Sequence, residues 1–241
     1  MVGRFAVAVL AVAAAGSIAT ADPLALTTMV GPYPTLRTFC ERMVASGAGA
    51  LDIGECPIAK VVPLDARWRA GTFVRFDVHE GEPFWYAAIL ARDGWYVTGV
   101  PVCSGRGCEP FIGPIAMFDA DDQGPSLVKF SAGWLQPERP GPIPYSLEQR
   151  VELVCAPSSA AAPVCTTVPV MIAITQEPDS DAPPGTKLTA RAKLSVSVRS
   201  RDDQLVLKVS GTHRVTGKNR EATQWRKTIA SIVGRHVLPL P

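Results

Sequence analysis

Three histidines, at positions 79, 213 and 236, are all the imidazole in this 241-residue chain. Neither a Gly-x-Ser-x-Gly elbow nor a Cys-x-x-Cys pair follows its apolar N-terminal run. The missing elbow deprives a serine hydrolase of its recognisable nucleophile. The missing cysteine pairs, with no histidine beside any cysteine, leave a zinc site without a ligand set. No motif calls for a cofactor. Beyond the N-terminus there is no apolar run long enough to span a bilayer as a helix. An excess of one charge sign is also missing, since 24 Lys and Arg face 22 Asp and Glu. That balance gives no electrostatic ground to expect nucleic acid, and reads as a mixed, solvated surface.

What is present begins with an export pattern. Met1-Val2-Gly3-Arg4 precedes an apolar run from Phe5 to Ala15, and Ala19-Thr20-Ala21 supplies a small-x-small cleavage triplet. These are the three parts of a secretory signal, so residues 1–21 are expected to be removed near Ala21. The mature chain is then periplasmic or extracellular, and no cysteine stands at the cut to take a lipid. Residues 22–241 suit one disulfide-stapled, β-rich domain, with a subdivision near 137–145 left open by a proline-rich stretch. The alanine, glycine, proline and arginine bias points to a GC-rich bacterial genome.

All six cysteines, at 40, 56, 103, 108, 155 and 165, lie in the mature part. An even count in an exported chain reads as a disulfide framework. Spacing favours neighbours: Cys40–Cys56, Cys103–Cys108 across a glycine-rich turn, and Cys155–Cys165 around an Ala/Pro/Ser loop.

Periodicity predicts a mainly β fold, an antiparallel β-sandwich or strongly curled sheet with a short N-terminal helix and a C-terminal helix. Leu36, Phe39, Met43 and Val44 have helical spacing up to Ser46. From Thr72 to His79, Val74, Phe76 and Val78 alternate with Arg75, Asp77 and His79, as in a half-buried strand. Phe84–Ala91 is apolar on both faces and reads as a central strand. Asp93-Gly94 suits a two-residue primed turn into the antiparallel strand Trp95–Val102, where Pro101 should face an edge or end the strand. Further strands are expected at Ile112–Phe118, Ser126–Gly133, Gln149–Cys155 and Val164–Thr175. The clearest alternation runs from Leu188 to Arg199 and returns through Leu205–Val215. Trp225, Ile229 and Ile232 mark a helix over 220–233, capped by Asn219 and ended by Gly234.

Candidate sites are few. Asp119-Ala120-Asp121-Asp122-Gln123-Gly124 resembles the start of a calcium loop, but Phe130 stands where a bidentate glutamate belongs. An acidic hairpin turn explains the same letters. Ser104 has no marked base, His79 sits on a polar strand face, and His213 follows the apolar parity of its strand. Trp85, Tyr86, Trp95 and Tyr96 crowd one hairpin and could stack on sugar rings, although core packing is the commoner use of strand aromatics. The resulting expectation is an exported, non-enzymatic binding or structural module of the bacterial envelope or exterior. Its partner class is a glycan or an envelope protein, not nucleic acid. The runner-up is an exported hydrolase with an unrecognised site near His79 or His213.

Overall fold

The architecture comes from a computed structural model and is described for residues 24–45, 57–64, 68–76, 84–101, 109–119, 126–139, 145–158, 162–176, 187–201 and 203–241. In chain order the elements are β1 (Thr27–Thr28), β2 (Val30–Tyr33), α1 (Leu36–Ala45), β3 (Val62–Pro63), β4 (Ala70–Phe76), β5 (Phe84–Leu90), β6 (Trp95–Gly99), β7 (Glu109–Asp119), β8 (Ser126–Arg139), β9 (Tyr145–Ala156), β10 (Val164–Gln176), β11 (Leu188–Arg201), β12 (Gln204–Thr216), α2 (Arg220–Ile232) and β13 (Gly234–Pro239). One sheet runs β13-β12-β11-β10-β9-β8-β7, with β1 added to β10, and the other runs β2-β6-β5-β4-β3. The strands pair antiparallel throughout the described residues, so the fold is mainly β and β-sandwich-like, with two helices.

Three apolar clusters hold the layers. Between the sheets, Phe73, Ala87, Ile89 and Tyr96 meet Val128, Phe130, Val151 and Leu153. On the other side of the smaller sheet, Leu36 and Phe39 of α1 cover Val74, Phe76, Ala88 and Val97. The third cluster joins Leu188, Ala190, Leu205 and Leu207 to Ala222, Ile229 and Ile232 of α2. It also reaches Val154, Ala156, Val164 and Val168, so β9 and β10 are buried on both faces. Pro169 sits at a register shift in β10, and Pro114 lies at another in the edge strand β7. Both places tolerate a residue that cannot donate to the ladder.

Several expectations are met. β5 is the central strand of its sheet, Pro101 lies beyond the end of β6, and β11 alternates as read, with Leu188, Ala190, Ala192, Leu194 and Val198 buried. Asn219 caps α2, its side-chain oxygen accepting from the Ala222 amide at 2.8 Å.

Others are corrected. β4 is not half-buried: Ala70 through Val74 are all buried, because one face meets the larger sheet and the other meets α1. The hairpin between β5 and β6 turns one residue early. The Ala91 amide donates to the Gly94 carbonyl, which makes Arg92-Asp93 the loop, and neither residue has positive φ. Gly94 instead has φ +146°, and a Cβ there would lie 2.7 Å from the Tyr33 carbonyl oxygen. Its lack of a side chain serves the close approach of β2. His213 is exposed rather than partly buried. Gly211 has φ +152°, and residues 210–214 are all exposed although their pairing with β11 runs on unbroken. The short strands β1, β2 and β3 and the closing strand β13 have no counterpart among the expected elements.

Cys155 and Cys165 are directly opposed on β9 and β10 and form a disulfide, both side chains fully buried. Cys40 is disulfide-bonded as well. Cys56, Cys103 and Cys108 lie outside the described residues, as do the signal segment, His79, Ser104 and residues 120–125 of the acidic turn. Phe130, the would-be twelfth calcium position, is a fully buried core residue. Replacing both Cys155 and Cys165 by alanine is expected to cost about 2–3 kcal/mol, the chain-entropy value for so short a loop. Urea unfolding of the oxidised double variant against wild type measures it.

Candidate binding face

The four aromatic residues of the β5–β6 hairpin do not share a face. Trp85 and Tyr96 point toward the larger sheet, whereas Tyr86 and Trp95 pack under α1. Period-two alternation places neighbours in a strand on opposite sides, so consecutive aromatics are divided. Tyr96 is 1% exposed and donates its hydroxyl to Asp93 Oδ2 at 2.6 Å. Tyr86 makes an edge contact with Phe39, ring centroids 5.2 Å apart. Trp85 is half-buried beneath the Arg75 guanidinium, 5.9 Å from its ring, and its buried indole Nε1 has no hydrogen-bond partner among the described residues. Phe84, 51% exposed, is the only ring of this hairpin open to solvent.

Burial, reinforced by the hydrogen bond to the Asp93 carboxylate and by its charge, pushes the Tyr96 phenol up to about 12. The folded state therefore keeps a proton that the unfolded chain releases near the ordinary value of 10.0. Stability from this group is intact below pH 10 and is lost as pH rises through 12. Tyr96→Phe is expected to flatten the alkaline end of the stability profile, read by thermal melting across pH 9 to 12.

Of the two candidate bases, His79 lies outside the described residues, and His213 gains no partner among the described residues. His213 is exposed on β12 opposite Ala192. The His236 ring nitrogen lies 2.8 Å from the Ile232 carbonyl, where a ring N–H donates to the end of α2. Among the described residues no three His, Cys, Asp or Glu side chains come together as a metal set.

The surface that stands apart is the outer face of β11, β12 and β13. The alternation that buries Leu188, Ala190 and Ala192 turns Arg191, Lys193, Ser195, Ser197 and Arg199 outward. Antiparallel register sets their partners beside them: Arg191↔Arg214, Lys193↔Thr212, Ser195↔Ser210, Ser197↔Lys208 and Arg199↔Val206. β13 then adds Arg235 beside Lys208 and Val237 beside Val206. Six cations, Arg191, Lys193, Arg199, Lys208, Arg214 and Arg235, thus share one face, all exposed. None of them joins an ion pair among the described residues.

No aspartate or glutamate and no phenylalanine, tyrosine or tryptophan occurs in β11, β12 or β13. Glu148 on β9 is already engaged by Arg150 at 3.3 Å. Two of the register pairs oppose like charges directly, Arg191 with Arg214 and Lys208 with Arg235, an arrangement that destabilises a free sheet. Ser195 and Ser210 form a hydroxyl pair at 3.3 Å between the two ends.

A charge balance taken over the whole chain hides this face. Residues 187–241 hold twelve of the 24 basic residues and only three of the 22 acidic ones. Counting charge segment by segment brings the bias out of the composition alone.

No known protein family matches the chain, and neither a curated protein nor a solved structure matches it. Fold and surface together define a mainly β, antiparallel, disulfide-bonded protein with one open basic sheet face.

Proposed function

We propose that this chain is an exported, non-enzymatic binding module of the bacterial envelope or exterior, which holds an acidic partner against the outer face of β11, β12 and β13. The observation that carries the reading is the exposed set of six cations with no acid in those strands and with like charges directly opposed. A sheet surface built for solubility mixes both signs, whereas same-sign opposition costs stability unless a counter-charge arrives. Export, with signal cleavage near Ala21, is supported by the buried Cys155–Cys165 bond, since disulfides persist in oxidising compartments. No helix among the described residues is long and apolar enough to cross a membrane.

The test compares the purified oxidised protein on dextran sulfate and on neutral dextran by biolayer interferometry. Salt-sensitive binding to the sulfated polymer alone is expected, and it should be lost in a variant with all six cations changed to glutamine. Equal binding by wild type and that variant would sink the reading.

A further inference from the structure

We infer that the acidic partner is a linear acidic polysaccharide lying along the strands of the β11–β12–β13 face, an inference that rests on the binding role proposed above. The face is a track rather than a spot. Its residues fall into five successive rows, led on β11 by Arg191, Lys193, Ser195, Ser197 and Arg199. With two residues per row and a rise of about 3.4 Å per residue, the track is ~27 Å long. Four of the five rows carry a cation, and only the Ser195–Ser210 row does not. A compact anion would need those charges to converge, and they are strung out instead.

The remaining chemistry selects among polyanions. Serine and threonine hydroxyls are interleaved with the cations at Ser195, Ser197, Ser210 and Thr212. Hydroxyls both donate and accept, which suits a partner presenting its own hydroxyls between its charges. Arginine forks suit carboxylate or sulfate groups. Single-stranded nucleic acid is held by stacking on aromatic side chains, and the outer face of β11, β12 and β13 has none, since His213 and His236 stand opposite Ala192 and Leu207 on the inward parity. A membrane-surface element buries an apolar face of Leu, Phe or Trp beneath its cations. Here only Val206 and Val237 offer apolar surface, in a single row.

The experiment uses the full oxidised protein and two triple variants. One is Arg191→Gln, Lys193→Gln, Arg214→Gln, and the other is Arg199→Gln, Lys208→Gln, Arg235→Gln. Polygalacturonate and its size-graded oligomers are the probes, with phosphatidylglycerol vesicles and duplex DNA alongside. Circular dichroism melting confirms that both variants fold.

Each triple change is expected to weaken polygalacturonate binding about a hundredfold, and to lower the slope of log affinity against log salt by about one per cation removed. Affinity should rise with oligomer length until the track is spanned, then level off. Equal affinity for the dimer and the polymer would overturn the linear track. Tighter binding to vesicles or DNA, lost in the same variants, would overturn the polysaccharide assignment while leaving the basic-face reading standing. Binding of every polyanion unchanged in both variants, or no binding of any, would end both.

Discussion

Phe130→Ala is expected to destabilise the fold by about 3–5 kcal/mol, the range for removing a fully buried phenylalanine. Phe130 lies on β8 between Ile115 of β7 and Leu153 of β9, and its ring meets Phe73 of the smaller sheet edge-on, centroids 5.3 Å apart. It is fully buried, and the ring also lies against Gly71 of β4. Its removal leaves a cavity where the two sheets meet, lined by strands that cannot close on it without losing register. For a chain of this size the loss corresponds to a fall in Tm on the order of 10 °C. Phe130→Leu should recover more than half of it by refilling the space. Chemical denaturation of the three proteins decides the matter. A loss under about 1 kcal/mol for alanine would mean that the sheets are held together elsewhere, through Trp68, whose indole donates to the Ser126 carbonyl at 2.6 Å, or through α1.

Where one rule governs a segment, the sequence is legible. β11 has one buried and one open face, so its period-two alternation survives from Leu188 to Val198. Asn219 and the spacing of Ile229 and Ile232 announce α2 by local chemistry alone. Legibility fails where two elements compete for one residue. Thr72 is a polar residue that shares the parity of Val74, and its burial depends on a hydroxyl bond to the Ala59 carbonyl at 2.9 Å from a neighbouring segment. Gly94 reads as a turn residue, yet its freedom is used by β2, more than sixty residues away in the chain. The edge strands β2 and β3 are too short to show a period, β13 sets its apolar Val237 and Leu238 side by side rather than in alternation, and only pairing partners define all three. The aromatic hairpin misleads for the opposite reason. Its density of rings is real, but alternation sends half of them to each face, and density in sequence is not adjacency in space. The basic face requires register as well as alternation, because Arg191 and Arg214 become neighbours only when β12 folds back on β11.

That opposition of like charges predicts a trade between stability and binding. Arg214→Gln together with Arg235→Gln removes one cation from each opposed pair while leaving the strands, their hydroxyls and the core face untouched. Relief of direct cross-strand repulsion is worth roughly 0.2–1 kcal/mol per pair, so the double variant is expected to be more stable than wild type at low ionic strength. The difference should shrink as salt is added, because the screening length falls from about 10 Å at 0.1 M to about 3 Å at 1 M. Wild type should therefore gain stability from salt that the variant does not. Affinity moves the other way, with binding to an acidic polysaccharide falling at least about tenfold as two counterion-releasing contacts are lost. Melting curves from 10 mM to 1 M salt, beside binding isotherms at fixed salt, read both halves. A variant that binds weakly but gains no stability would mean that the cations already lie far enough apart in the free sheet to escape one another. A variant that gains stability and binds as tightly as wild type would mean that the repulsion is real but serves no ligand, and the working surface would then have to be sought at the sheet edges.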